Sequence, residues 1–146
     1  MNEVRTALVV PAPIDDVWRV LVDFDGYARW NPVMEYTRVD GVRTKVKAAK
    51  GTPFERDFDG EITSLEPYVL ASQGGDPETF FGRHRWELSE TADGTRLVNV
   101  ETFTGTMTEG VLAQTREVLV AEFDAFNQAL RGLFVQAQAE GVPGGV

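Results

Sequence analysis

The chain has 146 residues, of which 42% are hydrophobic, 10% aromatic and 25% charged. That is the length and composition of one globular domain with enough apolar content for a sizeable core. Acidic residues number 23 against 14 basic ones, a formal net charge of -9, which disfavours non-specific binding to nucleic acid or anionic membrane because both are themselves negative. Cysteine is absent, so disulfides, thiolate metal sites and cysteine nucleophiles are excluded.

In chain order, Val4 to Val10 is rich in Val and Leu and stops at Pro11-Ala12-Pro13, which reads as a strand and a turn. Ile14, Val17, Trp18, Leu21 and Val22 then follow helical spacing, with Asp15 and Asp16 placed at the positive end of the helix dipole. Phe24 to Trp30 reads as a second short helix ended by Asn31-Pro32. Together, the two helices are expected to clasp one end of a sheet.

From Val33 the texture changes to strands: Val33 to Val39, Arg43 to Lys50, Phe54 to Ser64, Tyr68 to Gly74, Phe80 to Glu90 and Thr95 to Thr106. Their separators are too short for parallel crossovers, so the strands are antiparallel. In the last hairpin Asp93-Gly94 suits a two-residue turn pairing Ala92 with Thr95, and a four-residue loop pairing Glu90 with Thr95 competes with it. Both registers place His84, Trp86 and Leu88 on one face with Leu97, Asn99, Glu101 and Phe103, the apolar and inward set. Arg83, Arg85, Glu87, Arg96, Val98, Val100 and Thr102 take the other face and are expected to meet water.

Leu112 to Ala139 carries a stripe of Leu112, Leu119, Phe123, Phe126, Leu130, Leu133 and Ala137 at three-, four- and seven-residue steps. This predicts an amphipathic helix whose stripe, roughly 35 to 40 Å long at the helical rise, must lie along the sheet. The chain reads as one domain over 1–140 followed by a flexible tail at 141–146. Met1-Asn2-Glu3-Val4-Arg5 has no signal-peptide pattern and no stretch approaches the length of a membrane span, so the expected location is cytoplasmic.

The order of elements and three local motifs resemble the START-like (SRPBCC) superfamily, in particular its polyketide cyclase/dehydrase branch. The motifs are Pro11-Ala12-Pro13-Ile14-Asp15-Asp16-Val17-Trp18, Phe24-Asp25-Gly26-Tyr27-Ala28-Arg29-Trp30-Asn31-Pro32, and His84-Arg85-Trp86-Glu87-Leu88 with Gly94-Thr95-Arg96-Leu97 and Glu101-Thr102-Phe103-Thr104-Gly105. The resemblance covers essentially the whole chain. It implies an α+β helix-grip fold: a seven-stranded curled antiparallel sheet around a long C-terminal helix, two short helices after the first strand, and a cavity for an apolar molecule. Members of this fold include carriers, cyclases, hydrolases and chaperone regulators, so function rests on the site.

His84 is the only histidine, and imidazole is the side chain that ordinarily exchanges a proton near neutrality. Glu101 shares its inward face, so the two are the candidate acid/base pair or, more simply, polar anchors in an apolar pocket. The candidate ligand-contacting residues are Trp30, Tyr36, Phe58, Phe80, Trp86, Asn99, Phe103, Leu119, Phe123, Phe126 and Leu130, with Phe54 and Phe81 as further rings of the expected wall. Asp57, Asp59 and Glu61 alternate along one strand face and read as solvated, because a flat strand spaces carboxylates too widely for a cation. No metal and no cofactor are expected, and G-x-S-x-G, G-x-G-x-x-G, P-loop and H-E-x-x-H motifs are absent. The expected partner is a small hydrophobic or aromatic molecule such as a lipid, polyketide or isoprenoid. The alternatives are a cyclase/dehydratase using His84 and Glu101, and an interaction protein like the superfamily's chaperone-ATPase activators.

Overall fold

The computed structural model describes residues 2–139, with side chains described as far as Gln136. The elements are β1 (Glu3–Val10), α1 (Ile14–Val22), a 3₁₀ helix (Phe24–Arg29), β2 (Met34–Asp40), β3 (Arg43–Ala48), β4 (Arg56–Glu66), β5 (Val69–Asp76), β6 (Phe80–Thr91), β7 (Gly94–Thr104) and α2 (Thr108–Ala139). The seven strands form one antiparallel sheet in the order β1-β7-β6-β5-β4-β3-β2. The first two strands therefore lie at opposite edges, and α1 with the 3₁₀ helix spans the distance between them. The long helix α2 lies over β1 and β7. The expected tail at 141–146 lies outside the described residues.

Several boundaries differ from the sequence reading for local reasons. Phe24–Arg29 winds as a 3₁₀ helix instead of an α-helix, with Asp23 accepting from the Gly26 amide and Trp30 N–H donating to Tyr27 O; a six-residue run around a glycine suits the tighter winding. Strand β4 begins at Arg56 and not Phe54, because Thr52-Pro53 sits in a turn where Phe54 N and Glu55 N both bond back to Thr52. In α2, the first turn begins four residues before Leu112, since Thr106 N and Met107 N donate to Glu78 O and Thr79 O and fix the approach.

The last hairpin takes the competing register, with Glu90 opposite Thr95 and His84 opposite Glu101. Pairing continues to Thr91 and Gly94, leaving Ala92-Asp93 as the loop. Gly94 has a φ of +138° and lies against the Val10 carbonyl, where any side chain would collide.

The apolar interior divides in two. One cluster packs Val17, Leu21, Tyr27, Trp86, Leu97, Phe126, Leu130 and Phe134 beneath α1 and the C-terminal half of α2. The other packs Val4, Phe103, Leu112, Leu119 and Phe123 beneath its N-terminal half. Phe134, not Leu133, continues the helical stripe; Leu133 is exposed, and the side chain of Ala137 lies outside the described residues. The clasp closes one end of the grip with rings from the 3₁₀ helix, β2 and α2 and with Trp30, which follows the 3₁₀ helix. Phe24 packs on Tyr36 at 4.6 Å, Tyr27 on Phe126 at 6.1 Å, and Trp30 on Phe126 at 5.3 Å between centroids.

On the outer face, Asp57 and Asp59 of β4 stand opposite Lys47 and Lys45 of β3 and form ion pairs with them. The acidic face is thus half of a cross-strand charge ladder. Phe81 also lies on this outer side, under the Arg83 guanidinium at 5.0 Å. Val98 and Val100 share the outer face but are buried; the register puts Val100 directly between Arg5 and Arg85, long side chains of the kind that cover apolar neighbours with their aliphatic stems.

Burial holds the Tyr27 hydroxyl well above its ordinary pKa, with Tyr36 and Asp23 adding to the effect. Burial also raises Tyr36, partly offset by the nearby Ser72 and Thr44 hydroxyls. Above the ordinary tyrosine value of about 10, the unfolded chain has released protons that the folded chain still holds, so stability falls as pH rises. Urea unfolding followed from about pH 8 to pH 11 is expected to show this decline. Tyr36→Phe should flatten it while changing neutral-pH stability by less than ~1 kcal/mol, because the Tyr36 hydroxyl has no well-formed hydrogen bond to lose.

Candidate functional site

The inward residues of β6 and β7 place His84, Trp86, Asn99 and Glu101 together beneath α2. His84 stacks on Trp86 with 3.8 Å between ring centroids and 5° between planes, and Phe123 of α2 lies 4.7 Å away on a tilt. The imidazole is held at both nitrogens. Its Nδ1 is 3.3 Å from Glu101 Oε1 and its Nε2 is 2.6 Å from Asn99 Oδ1.

Behind Asn99 runs a polar chain that crosses from sheet to helix and back. Asn99 Nδ2 donates to Asn127 Oδ1 of α2 at 2.9 Å, Asn127 Nδ2 donates to Thr6 Oγ1 of β1 at 2.8 Å, and the Thr6 hydroxyl donates to the Asn99 carbonyl at 3.2 Å. Asn99 and Asn127 are each only 1% exposed. At such burial an unmade hydrogen bond is costly, so the closed circuit fixes the side-chain orientations firmly. This seam separates the two apolar clusters.

Two cavities meet at Glu101. The inner one, about 70 Å³, is lined by Tyr36, Trp86, His84, Asn99, Phe123 and Phe126, among others. The outer cleft, about 360 Å³, runs between the β4–β6 region and the N-terminal half of α2 and includes Phe54, Phe58, Phe80, Phe103, Val111 and Leu119. Both linings contain Arg56, Phe58, Gly74, Gly82, Glu101 and Glu122, so the outer cleft leads to the His84–Glu101 pair. Arg56 reaches across to Glu122 of α2 at 3.1 Å and bridges the two walls. Phe54 and Phe58 remain 51% and 40% exposed, although Phe58 belongs to the inward face of its strand; α2 does not extend over it.

The room for this cleft comes from missing side chains. Gly60, Gly74 and Gly82 stand side by side on β4, β5 and β6, Gly60 opposite Gly74 and Gly74 opposite Gly82. A methyl at Gly82 would collide with the Glu101 carboxylate, and one at Gly74 would meet the Asp59 carbonyl at 2.8 Å.

Of the residues singled out from sequence, His84, Glu101, Tyr36, Phe58, Trp86, Asn99, Phe123 and Phe126 line the inner cavity, and Phe80, Phe103 and Leu119 line the outer cleft. Trp30 and Leu130 are in neither lining; Trp30 plugs the clasp end and Leu130 is fully buried in the core. Thr6, Asn127, Arg56, Glu122 and the glycine row were not singled out as site residues. The Tyr36 hydroxyl and Trp86 Nε1, both buried, make no well-formed hydrogen bond among the described residues. Among the described residues no group of three His, Asp or Glu side chains is arranged to hold a metal ion, and no helix is long and apolar enough to cross a membrane.

This architecture, a curled sheet gripping a long helix with an apolar cleft between them, defines a helix-grip protein. The chain belongs to the polyketide cyclase/dehydrase and lipid transport family, whose model matches residues 1–138. Among solved structures it is similar to the Zhui aromatase/cyclase from Streptomyces sp. R1128, with 20% identity, TM-score 0.68, and 97% of this chain and 98% of that chain covered. It is also similar to the di-domain ARO/CYC StfQ from the steffimycin biosynthetic pathway, with 15% identity and TM-score 0.72 over 95% of this chain and 52% of that one. A third similar structure, TTHA0849 from Thermus thermophilus, has 20% identity and TM-score 0.69 over 89% and 94% of the two chains. At these identities the likeness establishes the fold. No curated protein matches the chain.

Gly82→Ala is expected to displace Glu101 and destabilise the protein by about 1 to 3 kcal/mol, the usual cost of overpacking. Gly132→Ala, in an exposed turn of α2 with nothing within 4 Å of the new methyl, should instead stabilise by about 0.4 to 1 kcal/mol. Urea unfolding of the two variants beside the parent tests both signs.

Proposed function

We propose that the chain binds a small apolar or aromatic molecule in the cleft between β4–β6 and α2, with the polar end of the molecule turned toward His84 and Glu101. One observation carries this reading: an apolar cleft with exposed phenylalanines at its mouth has Glu101 in its lining, and Glu101 pairs with the buried imidazole of His84. Its outer volume lies at the small end of the range for ligand sites. On the inner wall, Tyr36 and Trp86 add two hydrogen-bond groups that make no well-formed bond among the described residues. A buried polar group gains about 1 to 3 kcal/mol when a partner arrives, so these positions favour a ligand with at least one polar atom.

Family membership supports the same reading, since the family's description names both polyketide chemistry and lipid transport. The direct test is to release and identify by mass spectrometry whatever the natively purified protein carries, and to titrate an apolar fluorescent probe. Binding should weaken at least several-fold in Phe58→Ala and Phe80→Ala, which remove cleft wall without touching the seam. Recovery of ligand-free protein, together with no probe binding, would rule the reading out.

A second reading is a cyclase or dehydratase, and the observation favouring it is the His84 Nδ1–Glu101 Oε1 contact. An imidazole and a carboxylate in contact can accept and return one proton, the requirement for general acid/base work. Once a substrate is found, His84→Ala and Glu101→Gln are each expected to lower turnover by about 100-fold or more. Unchanged turnover in both variants would leave the binding role alone.

A further inference from the structure

The hydrogen-bond circuit behind His84 has a direction, and its direction starts at a backbone atom. The Asn99 carbonyl can only accept, so the single hydroxyl proton of Thr6 is committed to it. Thr6 Oγ1 must then accept at its contact with Asn127, which turns the Asn127 amide NH₂ toward Thr6 and its carbonyl toward Asn99. That carbonyl takes up an Asn99 Nδ2 hydrogen, which turns Asn99 Oδ1 toward the imidazole. Facing an oxygen, Nε2 must carry a hydrogen, and neutral His84 is left with its lone pair on Nδ1.

Nδ1 is the nitrogen beside Glu101. The carboxylate alone would draw the imidazole hydrogen to Nδ1, where the two would pair. The circuit holds the hydrogen on the far side, so with neutral His84 and ionised Glu101 two acceptors face each other across 3.3 Å. With both lone pairs turned toward it, this end of the cavity offers acceptors and no hydrogen to pair them. Tyr36 and Trp86 on the same wall supply donors that make no well-formed hydrogen bond among the described residues.

We propose that Thr6 is a positioning residue that acts on His84 through Asn127 and Asn99, and that by fixing the imidazole hydrogen on Nε2 it makes the inner end of the cleft a receptor for a ligand hydroxyl. A hydroxyl donates to Nδ1 or Glu101 and accepts from Tyr36 or Trp86, whereas an ether or ketone offers only acceptors. The ligand half of this inference rests on the cleft being a ligand site; the tautomer half stands without it.

Because His84 is the only histidine, one set of imidazole signals in a ¹⁵N-labelled sample reads its tautomer directly. At about pH 9, above the ordinary imidazole range, the parent protein and Thr6→Ser should both be protonated at Nε2. Thr6→Val keeps the shape of the side chain but releases the direction of both amides, and should shift His84 substantially toward protonation at Nδ1. An unchanged tautomer in folded Thr6→Val overturns the role given to Thr6.

The second arm compares 1-naphthol with 1-methoxynaphthalene by titration. The parent and Thr6→Ser should bind the naphthol about 10-fold more tightly, and the preference should fall below about 3-fold in Thr6→Val, about what gaining or losing one hydrogen bond to a charged group brings. Equal binding of the two probes to the parent overturns the hydroxyl selectivity while leaving an apolar binding cleft in place. Binding of neither probe removes the cleft reading and the ligand half of the inference with it.

Discussion

The structure depends on where α2 buries its apolar stripe. A single helix laid against a seven-stranded curled sheet cannot cover all of it, and here the helix lies over β1 and β7. Strands on that side are sealed beneath Leu119, Phe123, Phe126 and Leu130, while the inward face of β4 near Phe58 stays partly open. The cleft is the uncovered remainder of a sheet that is too wide for its helix. Exposed apolar surface of this kind is a standing cost wherever it meets water, and the rings of Phe54 and Phe58 at its mouth are where that cost falls.

Polarity within the grip follows from the same contact. Asn127 sits among stripe residues and would be buried without partners if it met only apolar side chains of the sheet. It meets Asn99 and Thr6 instead, and the two amides close a circuit on a backbone carbonyl. That circuit registers the helix against β1 and β7 more specifically than interchangeable apolar contacts can, since a shift of one residue would strand several buried groups at once. His84 and Glu101 lie at the end of this seam next to the cleft.

Much of this was legible in the sequence. Alternation along β6 and β7 sorted His84, Trp86, Asn99 and Glu101 onto the inward face whichever register the hairpin took, because the two candidates differ by an even step. The family motifs and turn residues supplied the order and type of the elements. Thr6 and Asn127 were harder. Each has the right spacing, Thr6 between Val4 and Leu8 on the inward face of β1 and Asn127 four residues after Phe123, but a polar residue in an apolar stripe reveals its partner only when the helix is docked. The glycine row was hidden for another reason: a register shift between Ile62 and Ser64 breaks the simple count along β4, so Gly60 could not be aligned with Gly74 from spacing alone. Trp30 and Leu130 fall outside both cavity linings, because an apolar residue on the inward side can be taken up in the core beyond the cavity.

The row Gly60–Gly74–Gly82 also bears on how the molecule yields. A β-sheet owes much of its stiffness across the strands to side chains packed shoulder to shoulder on each face, and along this line one face has none. The row is a crease. It runs across β4, β5 and β6, at right angles to the strands. Beyond its β6 end, β7 and β1 are fastened to α2 by the amide circuit; toward its β4 end the contacts are lighter, Tyr36 of β2 on Phe24 of the 3₁₀ helix and the Arg56–Glu122 bridge from β4 to α2. Accommodating a larger guest would therefore take a bending of β4, β5 and β6 along their own length at that crease, with the helix remaining where it is.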